Sequence, residues 1–254
     1  MQTEVRYHQE PELKNAVMIC GLPGIGSVAW LAVNHLQKEL HAQLLAEVFS
    51  PMFSPKVWLA EDGIVDLMKG EFHFWKNKPG EPDLLLFTAN EQPYSPEGQY
   101  ELAEVALNLA RRFAARRVIT MGGMATDRLA DQPKVYVGAT DADLVKELEG
   151  FGAVKLAGGA ITGTNGLIFG LAKPKNIPAI CLLAETPGYL SLDANAAKAA
   201  LELSSRMLHI SIDLTSLDKQ AKENEAVVQK AKDLSRAIPR EPRKGGDKEL
   251  PYVS

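Results

Sequence analysis

Residues 1–213 predict an α/β domain, a mainly parallel sheet covered by helices on both faces, with a β-hairpin added to it. Three observations carry this. Short, nearly continuous apolar runs recur at 16–20, 84–88, 118–121 and 179–183, as strands buried on both sides require. A turn containing glycine or proline follows each run. Segments of helical apolar spacing with legible ends lie among them, which is the alternation that builds a parallel sheet. With 46% of 254 residues apolar, the chain can fill such a core.

The elements follow in order. The run 16–20 leads into Gly21-Leu22-Pro23-Gly24-Ile25-Gly26, which opens a helix. A second apolar run carries Glu47. Residues 64–68 and 72–75 flank the turn pair Lys69-Gly70, and predict an antiparallel hairpin whose Phe72, Phe74 and Trp75 belong to the core or to an oligomer contact. Ser95-Pro96 supplies a capping hydroxyl and a proline at the first helical position, so Pro96–Arg112 reads as a helix with Leu102, Val105 and Leu109 on its apolar face. Arg111, Arg112, Arg116 and Arg117 at its end complement the negative helix terminus. Further helices are expected over 141–148, ending at Gly150, and over Ala194–Leu208 after the cap Asp193. Near-heptad Leu214, Leu217, Ala221, Val228, Ala231 and Leu234 give an amphipathic helix over 214–237, packed on the domain or on a copy of itself. Residues 238–254 cannot bury a face and read as a flexible tail.

Bulk properties narrow the function. A net charge of −4 argues against wrapping nucleic acid or holding an anionic membrane, leaving proteins and small molecules as partners. The amino-terminal residues lack the order of a signal peptide, and no stretch has the length of a membrane span. Cys20 and Cys181 sit in apolar runs as small buried hydrophobes, consistent with a reducing, cytoplasmic setting.

The glycine turns are the candidate ligand site. From Gly24 the first turn matches G-x-G-x-x-A between a strand and a helix, and Glu47 stands where a dinucleotide fold places its ribose-binding acid. Glycines there let backbone amides meet an anion at a helix start. Against this, Pro23 removes one amide donor, and tight strand-to-helix packing selects the same small residues. Gly122 and Gly123, then Gly163-Thr164-Asn165-Gly166, follow later strands. The candidate pocket is therefore Gly21, Gly24, Gly26, Gly122, Gly123, Thr164, Asn165 and Glu185, with Thr126 and Thr162 as further donors. The five histidines have no metal-ligand spacing, and no G-x-S-x-G elbow is present. Glu185 is either a polar group at the pocket mouth or a capping acceptor. No catalytic residue, metal or cofactor is assigned.

Taken together, the turn 21–26, Phe53-Ser54-Pro55 with Glu61-Asp62-Gly63, Asn90-Glu91-Gln92-Pro93 with Ser95-Pro96-Glu97-Gly98-Gln99-Tyr100, Gly122-Gly123, Gly163-Thr164-Asn165-Gly166-Leu167 and 183–189 resemble, in this order, the archaeal-type proteasome assembly chaperone family. The resemblance covers about residues 13–213. It implies a three-layer α/β/α domain of phosphorylase-like architecture and a non-catalytic homo-oligomer that binds proteasome subunits and assists core-particle assembly. Some members dock a carboxy-terminal peptide whose tyrosine is second from the end. Here Leu250, Tyr252, Val253 and Ser254 are the tail candidates, with Tyr252 third from the end, which moves the carboxylate by about 3.5 Å. The alternative reading is a nucleotide- or phosphate-binding enzyme, phosphorylase- or Rossmann-like, that uses the glycine turns.

Overall fold

A computed structural model describes residues 2–127 and 129–237. In chain order its elements are β1 (Glu4–Tyr7), β2 (Val17–Cys20), α1 (Val28–Glu39), β3 (Gln43–Phe49), β4 (Val57–Leu59), β5 (Val65–Leu67), β6 (Gly70–Trp75), β7 (Leu84–Ala89), α2 (Pro96–Arg112), β8 (Arg117–Thr126), β9 (Val135–Ala139), α3 (Ala142–Gly150), β10 (Val154–Lys155), α4 (Gly163–Ala172), β11 (Ala179–Pro187), α5 (Ala194–Leu208) and α6 (Thr215–Ala237). The expected tail over 238–254 lies outside the described residues.

Nine strands form one sheet in the order β1-β3-β6-β7-β2-β8-β11-β9-β10. The four anticipated apolar runs are its centre, and β7, β2, β8 and β11 pair in parallel. Beyond these four, β6, β3 and β1 on one side and β9 on the other join antiparallel, and the short edge strand β10 pairs parallel with β9.

Period-two alternation splits each central strand between two cores. Val17 and Ile19, with Leu84 and Leu86, face α1, α3, α5 and α6. Met18 and Cys20, with Leu85 and Phe87, face α2 and α4. The result is three layers, α/β/α. Phe72 of β6 and Phe87 of β7 stack in the second core with centroids 4.2 Å apart.

Helix ends obey their sequence signals. Ser95 caps α2 by accepting from the Gly98 N–H, Asp141 caps α3, and Asp193 accepts from the Ala196 N–H at the start of α5. The α6 helix packs on the domain beside α5, burying Leu217 and Ala221, with Lys198 of α5 paired to Asp218. The basic residues after α2 disperse to separate partners. Arg111 donates to the Lys175 carbonyl, Arg112 lies over the Tyr7 ring and meets Glu10, and Arg117 forks onto Glu147.

The expected hairpin about Lys69-Gly70 is corrected. Gly70 begins β6 and is paired on both sides, with Val48 and Ala89, and a Cβ there would stand 3.1 Å from the Phe87 ring. The hairpin that forms is β4–β5, a separate two-stranded ribbon turning at 60–63. Asp62-Gly63 is the stronger turn signal, because Gly63 adopts φ +80°. Phe72 and Phe74 accordingly lie in the core rather than at a contact surface.

Candidate functional site

The carboxyl ends of β2, β8 and β11 and the starts of α1 and α4 surround a cleft of about 360 Å³, the usual ligand position in a parallel sheet. Leu22, Gly24, Ile25, Gln92, Met121, Gly122, Gly123, Met124, Ile161, Gly163, Asn165, Cys181 and Leu183 are among its lining residues. Among the described residues Cys181 is the one ionisable side chain in that lining, and burial pushes its thiol up to about 11. The surface can enclose an apolar group, but among the described residues it offers no acid, base or thiolate near neutral pH.

Of the candidate residues, Gly24, Gly122, Gly123 and Asn165 meet at this cleft. Thr162, the further donor, lines it too, whereas Gly21, Gly26, Thr164, Glu185 and Thr126 do not. Gly21 is buried against α1, where a Cβ would stand 2.2 Å from the Ala29 carbonyl oxygen. Gly26 turns at φ +59°, and a Cβ there would strike Thr186. Gly123, although at the cleft, is equally tight against the Ile25 carbonyl. Close backbone approach explains Gly21 and Gly123, and the left-handed φ with the Thr186 side chain explains Gly26.

Much of the 21–26 turn is engaged with protein. The Gly21 N–H donates to the Phe87 carbonyl, and the Gly21 carbonyl accepts from the Thr88 hydroxyl at 2.8 Å. Asn165 clamps Leu22 twice, accepting from its N–H and donating to its carbonyl, both at 3.2 Å. Gln92 bridges the Pro23 carbonyl to the Thr164 N–H. Thr164 itself is buried outside the lining.

Glu185 lies within β11, holds the Lys134 N–H and the Tyr136 hydroxyl, and borders a neighbouring hollow with Thr126, Asp127 and Ala130. Glu47 cannot serve a dinucleotide bound at the first turn. Its strand β3 is separated from β2 by β6 and β7, and its carboxylate holds Lys69 at 2.7 Å and His8 at 2.8 Å.

The sequence reading missed the most unusual surface. Every residue from 55 to 67 is exposed, and Val57, Trp58, Leu59, Ile64, Val65 and Leu67 are between 52% and 66% exposed. The β4–β5 ribbon is an arm with apolar side chains turned to water. Its signal was available in Val57-Trp58-Leu59 and Ile64-Val65 on either side of the Asp-Gly turn.

Ion pairs fix both roots of the arm. At one, the buried Glu91 accepts from the Ser54 N–H at 2.5 Å and pairs with Lys56 at 2.7 Å. At the other, Lys69 pairs with Asp66 and Glu47, each at 2.7 Å. Burial pushes the Glu47 and Glu91 carboxyls up, but hydrogen bonds from Lys69 and His8 and from Lys56 and Ser54 outweigh it and hold both below their ordinary value. The Lys69 hydrogen bond likewise lowers Asp66.

Groups lowered on folding stabilise above their unfolded pKa, and that contribution is lost as pH falls through the folded values. The root ion pairs are therefore expected to hold the arm near neutral pH and to release it only as pH falls below the ordinary carboxylate range, through the lowered folded values. NMR relaxation of its amides checks this, with order parameters expected to fall from about 0.85 to below ~0.6. The Lys69→Met variant is expected to show the same loosening at pH 7.

Among the described residues, no helix is long and apolar enough to cross a membrane, and no group of three or more His, Cys, Asp or Glu is placed to hold a metal ion.

Comparison with known proteins gives a consistent set of relatives. The PAC2 family model matches residues 18–232. The crystal structure of PbaB from Pyrococcus furiosus, an archaeal proteasome activator, superposes with a TM-score of 0.85 at 35% identity, covering 91% of this chain and 99% of that one. PbaA from the same organism, an archaeal homolog of proteasome-assembly chaperone, gives 0.76 at 26% identity, with 93% and 94% covered. An uncharacterized protein of Methanocaldococcus jannaschii is 39% identical over 222 residues, 87% of this chain and 84% of that protein.

Proposed function

The chain belongs to the PAC2 family, and on that premise we propose that it is a non-catalytic, homo-oligomeric cytoplasmic protein that binds proteasome subunits and assists core-particle assembly. The observation that carries this reading is the distribution of chemistry over the surface. Among the described residues, the cleft where an α/β enzyme would work has Cys181 as its one ionisable side chain, held protonated by burial, while large apolar side chains crowd an exposed arm. Binding protein requires area and shape, and a neutral cleft with an apolar arm supplies them.

The two Pyrococcus relatives support the proteasome as the partner and differ in stage. PbaB is a proteasome activator and PbaA a homolog of an assembly chaperone. Capture from a cell extract on tagged full-length protein tests the reading and separates the stages. Unassembled subunits in the eluate are expected for an assembly role, and complete core particles for an activator. Retention of no proteasome subunit would count against both.

The tail residues Leu250, Tyr252, Val253 and Ser254 are proposed as a second contact, because an aromatic anchor on a polar tether needs reach and little else. A chain ending at residue 237 is expected to retain fewer subunits than the full chain in the same capture. Equal retention would assign the contact to the domain.

A further inference from the structure

We propose that β1 is the self-association edge of this protein, and that its occupant is β1 of a second copy, paired antiparallel across a two-fold axis at Val5. The inference rests on the homo-oligomeric reading above and adds the surface that performs it.

The first argument is the hydrogen-bond phase of the edge. β1 is an end strand of the nine-stranded sheet, and β3 is its one strand partner among the described residues. In their register the His8 N–H donates to the Leu45 carbonyl at 2.8 Å. Antiparallel pairing commits alternate residues to one neighbour, so Glu4, Arg6 and His8 bond β3. The N–H and carbonyl groups of Val5 and Tyr7 therefore face outward. Such an open row is a template for another strand. An incoming β1 centred on Val5 exchanges both backbone bonds with the Val5 of its partner and sets Tyr7 against Thr3.

The second argument is charge, which selects that register. Val5 and Tyr7 turn their side chains to the second core, and Glu4 and Arg6 share the other face with side chains 61% and 56% exposed. A two-fold axis at Glu4 or at Arg6 would set like charges face to face. An axis at Tyr7 would set Glu4 opposite Glu10 and Arg6 opposite His8, and one at Thr3 would set Glu4 opposite Gln2. Only the axis at Val5 sets each Glu4 against the Arg6 of the other copy. It does so at non-hydrogen-bonded pairs, where Cα atoms are ~4.5 Å apart and side chains meet most closely. Glu4 and Arg6 also touch within one copy, at 3.3 Å. That contact is kept, because the four side chains alternate in sign around the axis and each gains a second opposite neighbour. The Arg6 guanidinium lies over the Phe49 ring, 4.9 Å from its centroid, a stacking that leaves its N–H fork open to carboxylates. A strand whose backbone phase and charges both match their own two-fold image forms an isologous contact.

Light scattering on the full chain tests this with Glu4→Arg and Arg6→Glu, separately and mixed. Each variant alone sets like charges against each other across the axis, and its mass is expected to fall about twofold or more. An equimolar mixture restores opposite charges across the axis in every mixed pair, although neither variant keeps the contact within its own strand. The wild-type mass is expected to return. Hydrogen exchange of the Val5 and Tyr7 amides in the wild-type chain gives a second readout. Both are expected to exchange about tenfold more slowly in concentrated than in dilute protein. A wild type that is monomeric at every concentration would remove the homo-oligomeric reading, and this inference with it. An oligomeric wild type whose two variants keep its mass would overturn the β1 assignment alone, as would variants that lose mass and do not recover it on mixing. If a variant fails to fold, the amides decide, and exchange that ignores dilution overturns the assignment.

Discussion

Replacing Gly21 with valine is expected to cost about 3 kcal/mol or more, the upper range of overpacking, and to leave little folded protein. Even the first added carbon would stand 2.2 Å from the Ala29 carbonyl oxygen and 2.6 Å from Val33. Neither can retreat, since Ala29 and Val33 are core residues of α1 packed on the sheet. The neighbouring Gly24→Ala variant is expected to be nearly silent, because a Cβ there meets only the Gln92 amide at 3.7 Å. Thermal melts of the two variants check the contrast. A nucleotide-binding role for the turn predicts a different pattern, in which Gly24, at the cleft, matters for ligand affinity. A wild-type melting temperature for Gly21→Val would contradict the packing account.

Asn165→Ala is expected to lower stability by about 2–5 kcal/mol, the combined desolvation of two orphaned backbone groups. Its amide serves both the N–H and the carbonyl of Leu22, a residue with no exposed surface, so both groups lose their partner when the side chain is removed. Gln92→Ala removes bonds to the Pro23 carbonyl and the Thr164 N–H from a less buried position, and is expected to cost less. Urea midpoints of the two variants measure the difference. Equal midpoints would mean that the clamp on Leu22 contributes nothing special.

The contrast between these residues explains what was legible in the sequence. Buried parallel strands announce themselves through uninterrupted apolar runs, and capped helices through Ser95 and Asp193, because those signals are local. The three-layer fold followed from them. The flanking antiparallel strands were harder to read, since the pairing of Gly70 with Val48 and Ala89 depends on partners far along the chain. The candidate site was half legible for the same reason. Glycines show where backbone must come close, but not whether the neighbour is a ligand or, as at Gly21 and Gly26, the protein itself. Glu47 stood at a plausible sequence distance, and the strand order removed it from the site. The arm was missed because apolar residues in a hairpin read as core unless the layer that would cover them is known to be absent.

The central claim is that this chain acts by binding proteasome subunits rather than by chemistry in its cleft. Sedimentation velocity of the full chain, mixed with purified proteasome subunits from its own organism, tests it most directly. The account predicts a faster boundary containing both proteins. Independent sedimentation at every stage of core-particle assembly, together with a melting temperature raised by a nucleotide or by phosphate, would contradict it.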